Sequence, residues 1–196
     1  MADPKGLPFG RPPTQVPTQQ FVDERRRSVT PDIQGWVSIG NIYAFDQTAT
    51  PSDGALHINP IGPITSNILV DRCRIRVTTL ALATTVYTGV YVRDFKRKTL
   101  TLVSGTKQAY DATSTGVKTG SLKTTIKLLA GGDYWLGLLP VGGAPVVSAI
   151  GSSTVAIMDR HIASGHAALP TSVNYADLAR TQSLVPGVVY YHSNVI

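Results

Sequence analysis

The sequence predicts an all-β protein, an antiparallel β-sandwich or jelly roll of about eight strands. Eleven of its twelve acidic residues are Asp and one is Glu, and Asp favours turns whereas Glu favours helices. Gly and Pro are frequent, at 18 and 13 residues, and they separate segments of strand length. Several of these segments alternate between apolar and polar residues with a period of two. Helix content should therefore be low, and a βαβ fold is not expected.

Length and composition predict one folded domain, residues 36–196, preceded by an appendage, residues 1–35. The hydrophobic content of 42% is enough for a core, and no apolar run approaches the ~18–20 residues that cross a membrane. Because Cys73 is the only cysteine, neither an intrachain disulfide nor a cysteine-based zinc site is expected. Without an apolar leader segment, the chain is expected to be made in the cytoplasm. Its net charge of +6 suits a polyanionic surface without identifying one.

Residues 1–35 are rich in proline, with prolines at positions 4, 8, 12, 13 and 17. Each proline fixes its own φ and favours extended backbone in the residue before it. A disordered tail and an arm that becomes ordered on a partner assembly are both open, and we favour an extended anchoring arm. Its candidate contact residues are Leu7, Phe9, Val16 and Phe21, together with Arg25, Arg26 and Arg27, which form either a solvated run or a clamp on acidic groups.

The body should consist of strands joined by turns from Trp36 onward. The charged turn 94–98 predicts a hairpin, and Gly131-Gly132 can supply the positive φ of a second tight turn. Residues 107–121 are polar, and only 173–182 would tolerate a helix. In order, the predicted strand segments are 36–45, 57–66, 68–82, 84–95, 99–106, two strands within 122–143, 153–158 and 187–193, with a loop at 48–54.

Two segments have a period of two that assigns each side chain to a face. In 68–82 one side is basic and the other apolar, which makes Cys73 a small core residue rather than a nucleophile. In 84–95 two tyrosines face away from three valines. The first strand sets Val70, Arg72, Arg74 and Arg76 against Leu69, Asp71, Cys73, Ile75 and Val77, and the second sets Tyr87 and Tyr91 against Val86, Val90 and Val92.

The arginine row has two interpretations. It is either a solvated face whose like charges discourage edge-to-edge pairing, or a docking face for acidic groups on a partner protein or a surface polysaccharide. Arg93 and the turn residues 96–98 would extend it into one patch. The candidate docking residues are Arg72, Arg74, Arg76, Tyr87 and Tyr91.

The stretch STGVKTGSLKTTIKLLAGGDYWLGLLP (114–140) resembles a motif of small phage virion jelly rolls, and VYTGVYVRDF (86–95) resembles the strand and charged turn before it. The resemblance covers about 36–160 and implies a C1q/TNF-like trimeric domain of a phage head or tail fibre. Tyr134 and Trp135 should take opposite faces of a strand that is apolar on both sides. Because such a strand is usually covered on both sides, both residues are candidates for a subunit interface in a homotrimer.

No catalytic signature is visible, and we predict no enzymatic activity, cofactor or metal. The chain lacks nucleophile-elbow, phosphate-loop, dinucleotide-binding and HExxH motifs. His161 and His166 lie near Asp159, but without a third ligand they are interpreted as ordinary loop residues. No nucleic-acid module accompanies the basic residues, so nucleic acid is not an expected partner.

These observations predict a structural protein of a tailed-phage virion, slightly favoured as capsid decoration or cement because no shaft repeat is present. The alternatives are a tail-fibre, baseplate or adaptor protein with a role in host adhesion and, from a different class, a carbohydrate-binding module. In the module Trp36, Tyr87, Tyr91 or Trp135 would stack on sugars. The expected partners are further copies of the chain, the major capsid or tail proteins and a host surface polysaccharide, with no membrane or nucleic acid.

Overall fold

The structure is a computed structural model. It describes residues 36–38, 47–64, 67–150, 160–163, 165–181, 185–186 and 189–195. The predicted arm 1–35, with Leu7, Phe9, Val16, Phe21, Arg25, Arg26 and Arg27, lies outside the described residues, and so does the predicted strand 153–158.

The described residues form strands and one short 3-10 turn at Tyr175–Asp177, which confirms the prediction of an all-β chain. The strands are shorter and more numerous than predicted, partly because the polar stretch 107–121 contributes to two of them. In chain order they are β1 (Trp36–Ser38), β2 (Gln47–Ala49), β3 (Leu56–Pro63), β4 (Ile68–Thr79), β5 (Thr85–Asp94), β6 (Thr99–Leu102), β7 (Gln108–Asp111), β8 (Gly116–Leu128), β9 (Asp133–Val141), β10 (Val146–Ile150), β11 (Arg160–Ala163), β12 (Ser172–Asn174), β13 (Ala179–Thr181), β14 (Val185–Pro186) and β15 (Val189–Val195).

The strands form two antiparallel sheets that pack as a sandwich. Sheet A has the order β1-β15-β4-β10-β14, with β8 also on β4 and β2 on β10. Sheet B has the order β12-β6-β5-β9-β3-β11-β13, with β7 also on β5. In both sheets the central strand pairs with strands distant in sequence, β4 with β15 and β5 with β9. We call the face of each sheet that is turned away from the other sheet its far face.

The core between the sheets confirms the alternation predicted for β4 and β5. Cys73, Ile75 and Val77 of β4 are buried against Val86 and Val90 of β5. Polar contacts also link the two layers within this core. The Tyr110 hydroxyl donates to the Cys73 carbonyl at 2.8 Å, and Cys73 Sγ lies 3.2 Å from Thr88 Oγ1. Burial raises the pKa of the Tyr110 hydroxyl far above its usual range.

A β-bulge reverses the alternation at the beginning of β4. Val70 was predicted on the arginine side, but it is fully buried. In the register with β15, Val70 is opposite His192 and Arg72 is opposite Tyr191, so two steps along β4 match one step along β15. Asp71 is the extra residue, and an extra residue moves the following side chains to the other face. The predicted side for Val70 was therefore wrong, whereas the sides predicted for Arg72 and Cys73 are confirmed.

Two tight turns form as the sequence predicted. In the turn after β5, Asp94 Oδ1 accepts hydrogen bonds from the backbone nitrogens of Lys96 and Arg97 at 2.9 and 3.0 Å. In the turn between β8 and β9, Gly131 has a φ of +81°, a conformation that L side chains rarely adopt. The first turn joins the antiparallel pair β5 and β6 of sheet B, whereas the second leads the chain from β8 of sheet A to β9 of sheet B.

A second apolar core lies on the far face of sheet B. Residues 165–178, which we call the strap, cover this face. The described part of the predicted segment, residues 173–181, does not form the α-helix that the sequence would tolerate, because Val173 and Leu178 are needed in this core and Ser172–Asn174 pairs with β6. The members of the second core are Leu56, Ile58, Tyr91, Leu100, Trp135, Leu139, Leu169, Val173 and Leu178.

Sheet B must curl around this second core. Its end strands, β12 and β13, are joined by residues 175–178 alone. Five Cα-to-Cα steps reach at most about 18 Å, whereas seven strands in a flat sheet would place the two ends about 29 Å apart. The short link is therefore possible only if the two edges of the sheet approach each other, and the far face of sheet B is concave.

Candidate functional site

The predicted docking residues do not form one surface. Arg72, Arg74 and Arg76 lie on the far face of sheet A, opposite buried Cys73 and Ile75 on the same strand. Tyr87 and Tyr91 lie on the far face of sheet B, within or against the second core. The two groups are therefore on opposite sides of the sandwich. The prediction that Arg93 and the turn 96–98 extend the arginine row into one patch was also wrong, because Arg93 lies on the far face of sheet B with Tyr91.

The arginine row lies on an inner strand rather than at an edge. β4 pairs with β8 on one side and with β15 and β10 on the other. Arg72 and Arg76 are exposed, and Arg74 is half-buried. Because an inner strand has no free backbone edge, these charges cannot serve to block edge-to-edge pairing. Protection of an edge therefore does not explain the row, whereas a solvated face and a docking face both agree with the exposure of Arg72 and Arg76.

The strand β8 supplies the neighbours of this row. Ser121, Thr119 and Val117 are opposite Arg72, Arg74 and Arg76, and all three are exposed. Lys127 of the same strand is exposed opposite Leu69, and Lys123 is exposed at the irregular part of β8. The described far face thus carries a row of cations beside small hydroxyl side chains.

One carboxylate lies next to the row in the described part of this face. Asp71 Oδ1 is 3.6 Å from Arg72 Nε, and Arg72 retains 56% of its side-chain exposure. Such an exposed pair is weak, because water and salt screen it.

The first strand of the body adjoins the same sheet. β1 pairs with β15, with Trp36 opposite Tyr191 and Ser38 opposite Val189. β15 then pairs with β4, with Tyr191 opposite Arg72 and Val189 opposite Arg74. The backbone rows that contain the arginines therefore continue to the strand that directly follows residues 1–35.

Tyr91 does not belong to a docking surface. It is fully buried, and its hydroxyl donates to the Pro170 carbonyl of the strap at 2.9 Å. Burial raises the pKa of this hydroxyl well above its usual range. Tyr87 is half-buried, with Lys107 Nζ 4.9 Å from its ring centroid. The docking role predicted for Tyr91 is wrong because the strap covers the face that it occupies.

Tyr134 and Trp135 take opposite faces as predicted, but one chain covers both. Tyr134 is 5% exposed in the core between the sheets, and its hydroxyl accepts a hydrogen bond from Leu129 N at 2.8 Å. Trp135 is 3% exposed in the second core, with its ring edge-on to Tyr175 of the strap at 5.8 Å. Their assignment to a subunit interface is therefore corrected, since the strap supplies the second cover. Burial likewise removes Tyr91 and Trp135 from any sugar-stacking platform.

The side chain of Arg93 lies between two aromatic rings and contacts the strap, an arrangement that the sequence patterns did not indicate. The Arg93 guanidinium lies 4.5 Å from the ring centroids of both Phe95 and Tyr175. It also lies 3.7 Å from Asp133 Oδ2. Arg93 and Phe95 are neighbours on one hairpin, but Tyr175 comes from the strap, so their meeting depends on the tertiary fold.

The histidines are not all loop residues as predicted, because His161 belongs to strand β11. His57 is buried in β3, while the backbone of His166 donates to the Gly54 carbonyl at 3.0 Å. Asp159 lies outside the described residues. In the described part of the chain, no three His, Cys, Asp or Glu residues are grouped closely enough to hold a metal ion. Within the same part, the structure contains no helix with the length and hydropathy of a membrane span.

No protein-family model matches this chain, and no curated protein matches it. The resemblance of residues 114–140 to phage virion jelly rolls therefore stays a prediction from the sequence. The fold defines an antiparallel β-sandwich in which the strap covers the far face of sheet B and strand β4 carries a row of arginines on the far face of sheet A.

Proposed function

We propose that this chain is a non-enzymatic structural protein of a tailed-phage particle, in which residues 36–196 form a compact body and residues 1–35 attach it. The position of β1 carries the proposal. This strand directly follows the proline-rich segment and lies at the end of sheet A, where among the described strands it pairs only with β15. A segment that continues from an end strand is well placed to leave the body and to pair with a neighbouring sheet.

The internal chemistry of the body supports a structural role. Tyr110 and Tyr91, whose hydroxyls have raised pKa values, each donate a hydrogen bond that joins separate parts of the fold. Cys73 packs in the core beside Thr88. These buried titratable groups are occupied in holding layers together, and each has a sufficient structural explanation.

Within this class, capsid decoration is favoured over a tail fibre because the sequence has no shaft repeat. A homotrimer remains part of the proposal through the resemblance alone, since Tyr134 and Trp135 are covered within one chain. Three arms on one trimer would bind a particle together and would gain avidity from their linkage.

The test is to separate heads from tails of the purified particle and to quantify this chain in each fraction by mass spectrometry. Enrichment in heads at high copy number supports decoration, and enrichment in tails at low copy number supports the fibre or baseplate alternative. Replacing Arg25, Arg26 and Arg27 by Gln should weaken attachment, whereas the same change at Lys96, Arg97 and Lys98 should not. Absence of the chain from both fractions would reject the virion proposal.

A further inference from the structure

Three neighbouring connections at one end of the sandwich contain no charged residue. They join β4 to β5, β7 to β8 and β9 to β10, and the register brings them together because Thr85 pairs with both Asp111 and Val141. In a chain with a net charge of +6, a surface without charge is a candidate for contact with another molecule. The three connections, which we call the uncharged end, are 80–84, 112–115 and 142–145.

Leu82 points outward from this end on a turn that is fixed on both sides. Its side chain is 78% exposed, and Leu80 of the same turn is exposed as well. Between them, Ala81 N donates to the Ala112 carbonyl at 3.1 Å. The hydroxyl of buried Thr84 donates to the Leu82 carbonyl at 3.2 Å. The backbone that carries the two leucines is therefore bound to its neighbours before and after Leu82.

The residue that follows Leu82 has a strained backbone. Ala83 has a φ of +56°, which residues other than glycine rarely adopt. Gly142 approaches it so closely that a Cβ there would lie 2.5 Å from the Ala83 carbonyl oxygen. Strain of this kind persists only where the surrounding structure imposes it. The fold therefore presents Leu82 to solvent in one defined conformation.

We propose that the uncharged end binds a second copy of this chain, with Leu80 and Leu82 of each copy packed against the same residues of the other. A contact about a symmetry axis brings identical residues together. The contact removes apolar surface from water, and a turn that is already fixed loses little conformational freedom on binding. Because the surface is small, the association should be weak and should depend on protein concentration.

The distribution of charge favours a copy over a different protein. β5 begins at the uncharged end with Thr85 and ends at Asp94, about 30 Å away, just before the basic turn 96–98. Copies that meet through the uncharged end keep these turns separated by much more than the Debye length of about 10 Å. An acidic protein would instead be attracted to the basic turn and away from this end.

The charged residues at the border of the uncharged end carry both signs. Asp53 accepts a hydrogen bond from Gly142 N, and Asp111 accepts one from Thr113 N, both at 2.8 Å. The carboxylates thus help to hold two of the three connections. A border of mixed sign lets two copies approach without a net repulsion. The bordering residues include Asp53, Arg76, Asp111 and Lys118.

A lipid surface is the other partner that an exposed leucine could enter, and the sequence of these connections favours it less. Proteins that bind at lipid interfaces place basic and aromatic residues beside the apolar ones. The three connections contain neither kind of residue. A second copy is therefore the better match.

This interface rests on the proposed function for the homotrimer but not for attachment to a particle, so the two can fail separately. A monomeric chain that is present in particles would reject the interface alone. A chain that self-associates through Leu82 but is absent from particles would reject the virion proposal alone.

The experiment measures the mass of the full chain by sedimentation at concentrations from about 1 to about 100 µM. We expect the mass to rise from the 20.9 kDa of one chain to a multiple of it. Leu82→Lys should lower the association constant at least about tenfold, because it brings like charges together at the axis. The matched control Leu129→Lys makes the same change in an exposed turn at the opposite end and should alter the constant by less than about twofold.

A chain that stays monomeric at every concentration would overturn the proposal, and so would equal losses in the two lysine variants. Salt gives a further check, because an apolar contact between two cationic bodies should not weaken as salt rises. Weaker association at higher salt would mean that ion pairs hold the copies together, and the uncharged end would be rejected as the interface.

A pair of charge variants tests whether Leu82 meets Leu82 of another copy. Leu82→Lys and Leu82→Asp should each associate poorly alone, whereas their mixture should assemble because opposite charges then meet. A mixture that stays monomeric would overturn this placement of Leu82. Flotation with phosphatidylserine vesicles tests the lipid alternative. Vesicle binding that is lost in Leu82→Lys would make the partner a lipid surface and would reject the proposal.

Discussion

The far faces of the two sheets differ although both belong to one sandwich. On sheet A, β4 alternates after its bulge between buried Cys73, Ile75 and Val77 and the outward arginines. On sheet B, β9 is buried at every position from Tyr134 to Pro140. β4 therefore presents a basic, solvent-facing side, whereas β9 needs to be covered on both sides.

The cover of sheet B comes from the same chain. Leu169, Val173 and Leu178 of the strap fill the concave face, and Trp135 packs edge-on against Tyr175. A strand that is apolar on both faces thus requires a second layer, but it does not say which chain supplies that layer. The prediction of a trimer assumed that a second chain covers this strand, whereas the strap of the same chain does so.

The largest expected loss of stability follows from removing the Trp135 ring beneath the strap. Trp135→Ala should lower the free energy of unfolding by about 3–5 kcal/mol, because it removes a buried ring and leaves a cavity. The matched control Val117→Ala shortens a side chain that is 47% exposed on the other far face and should change stability by less than about 0.5 kcal/mol. Urea denaturation measures both, and equal effects would show that the two faces do not differ in burial.

Sequence patterns predicted which side chains of a strand are buried better than they predicted the bulge in β4 or the segment that covers sheet B. The alternation in β4 and β5 identified Cys73 and Val90 as core and Arg72 as exposed, because a period of two is a local property. The bulge at Asp71 escaped prediction, since one extra residue leaves no mark in composition. The strap also escaped, because its apolar residues are too far apart to form a periodic pattern and pack only after sheet B has curled.

Only part of the candidate site was predicted, because local alternation gives the face of a residue but not its partners. Each arginine of the row was placed on the correct face, but their partners depend on strand pairing between distant segments. The clamp of Arg93 between Phe95 and Tyr175 is likewise tertiary. A residue's face can be read from neighbouring positions, whereas its contacts require the whole topology.

The next effect concerns alkaline pH and the two buried tyrosines. Burial raises the pKa of Tyr110 between the sheets and of Tyr91 beneath the strap. Their neutral hydroxyls contribute stability that is fully present below about pH 10 and is lost as pH rises towards the folded-state pKa. In that range each retained proton lowers the free energy of unfolding by about 1.4 kcal/mol per pH unit.

Tyr110→Phe and Tyr91→Phe should each make the fall of the free energy of unfolding with pH less steep above about pH 10. The double variant should remove both contributions to this slope. Urea denaturation between pH 9 and pH 11 measures the slope. If one variant alone made the slope shallower, burial in the folded state would differ between the two cores, and an unchanged slope in both would contradict their burial.

A smaller effect is expected where the strap is fastened to sheet B. Arg93→Lys keeps the charge near Asp133 but loses the flat contact with two rings, and should cost about 1 kcal/mol. Hydrogen exchange should become faster in residues 165–178 while Cys73–Val77 stays protected. Arg72→Lys, on the other far face, is the control and should leave both segments unchanged. Equal exchange in the strap of both variants would show that Arg93 does not hold it.

The smallest effect on stability is expected on the far face of sheet A. R72Q/R76Q removes the weak contact between Arg72 and Asp71 and also lowers the repulsion among the like charges of the row. These changes oppose each other, so the free energy of unfolding should stay within about 0.5 kcal/mol of that of the natural chain. Thermal denaturation at low and high salt measures it. A loss above about 2 kcal/mol would mean that the row supports the fold, because exposed side chains without a structural role do not reach that value.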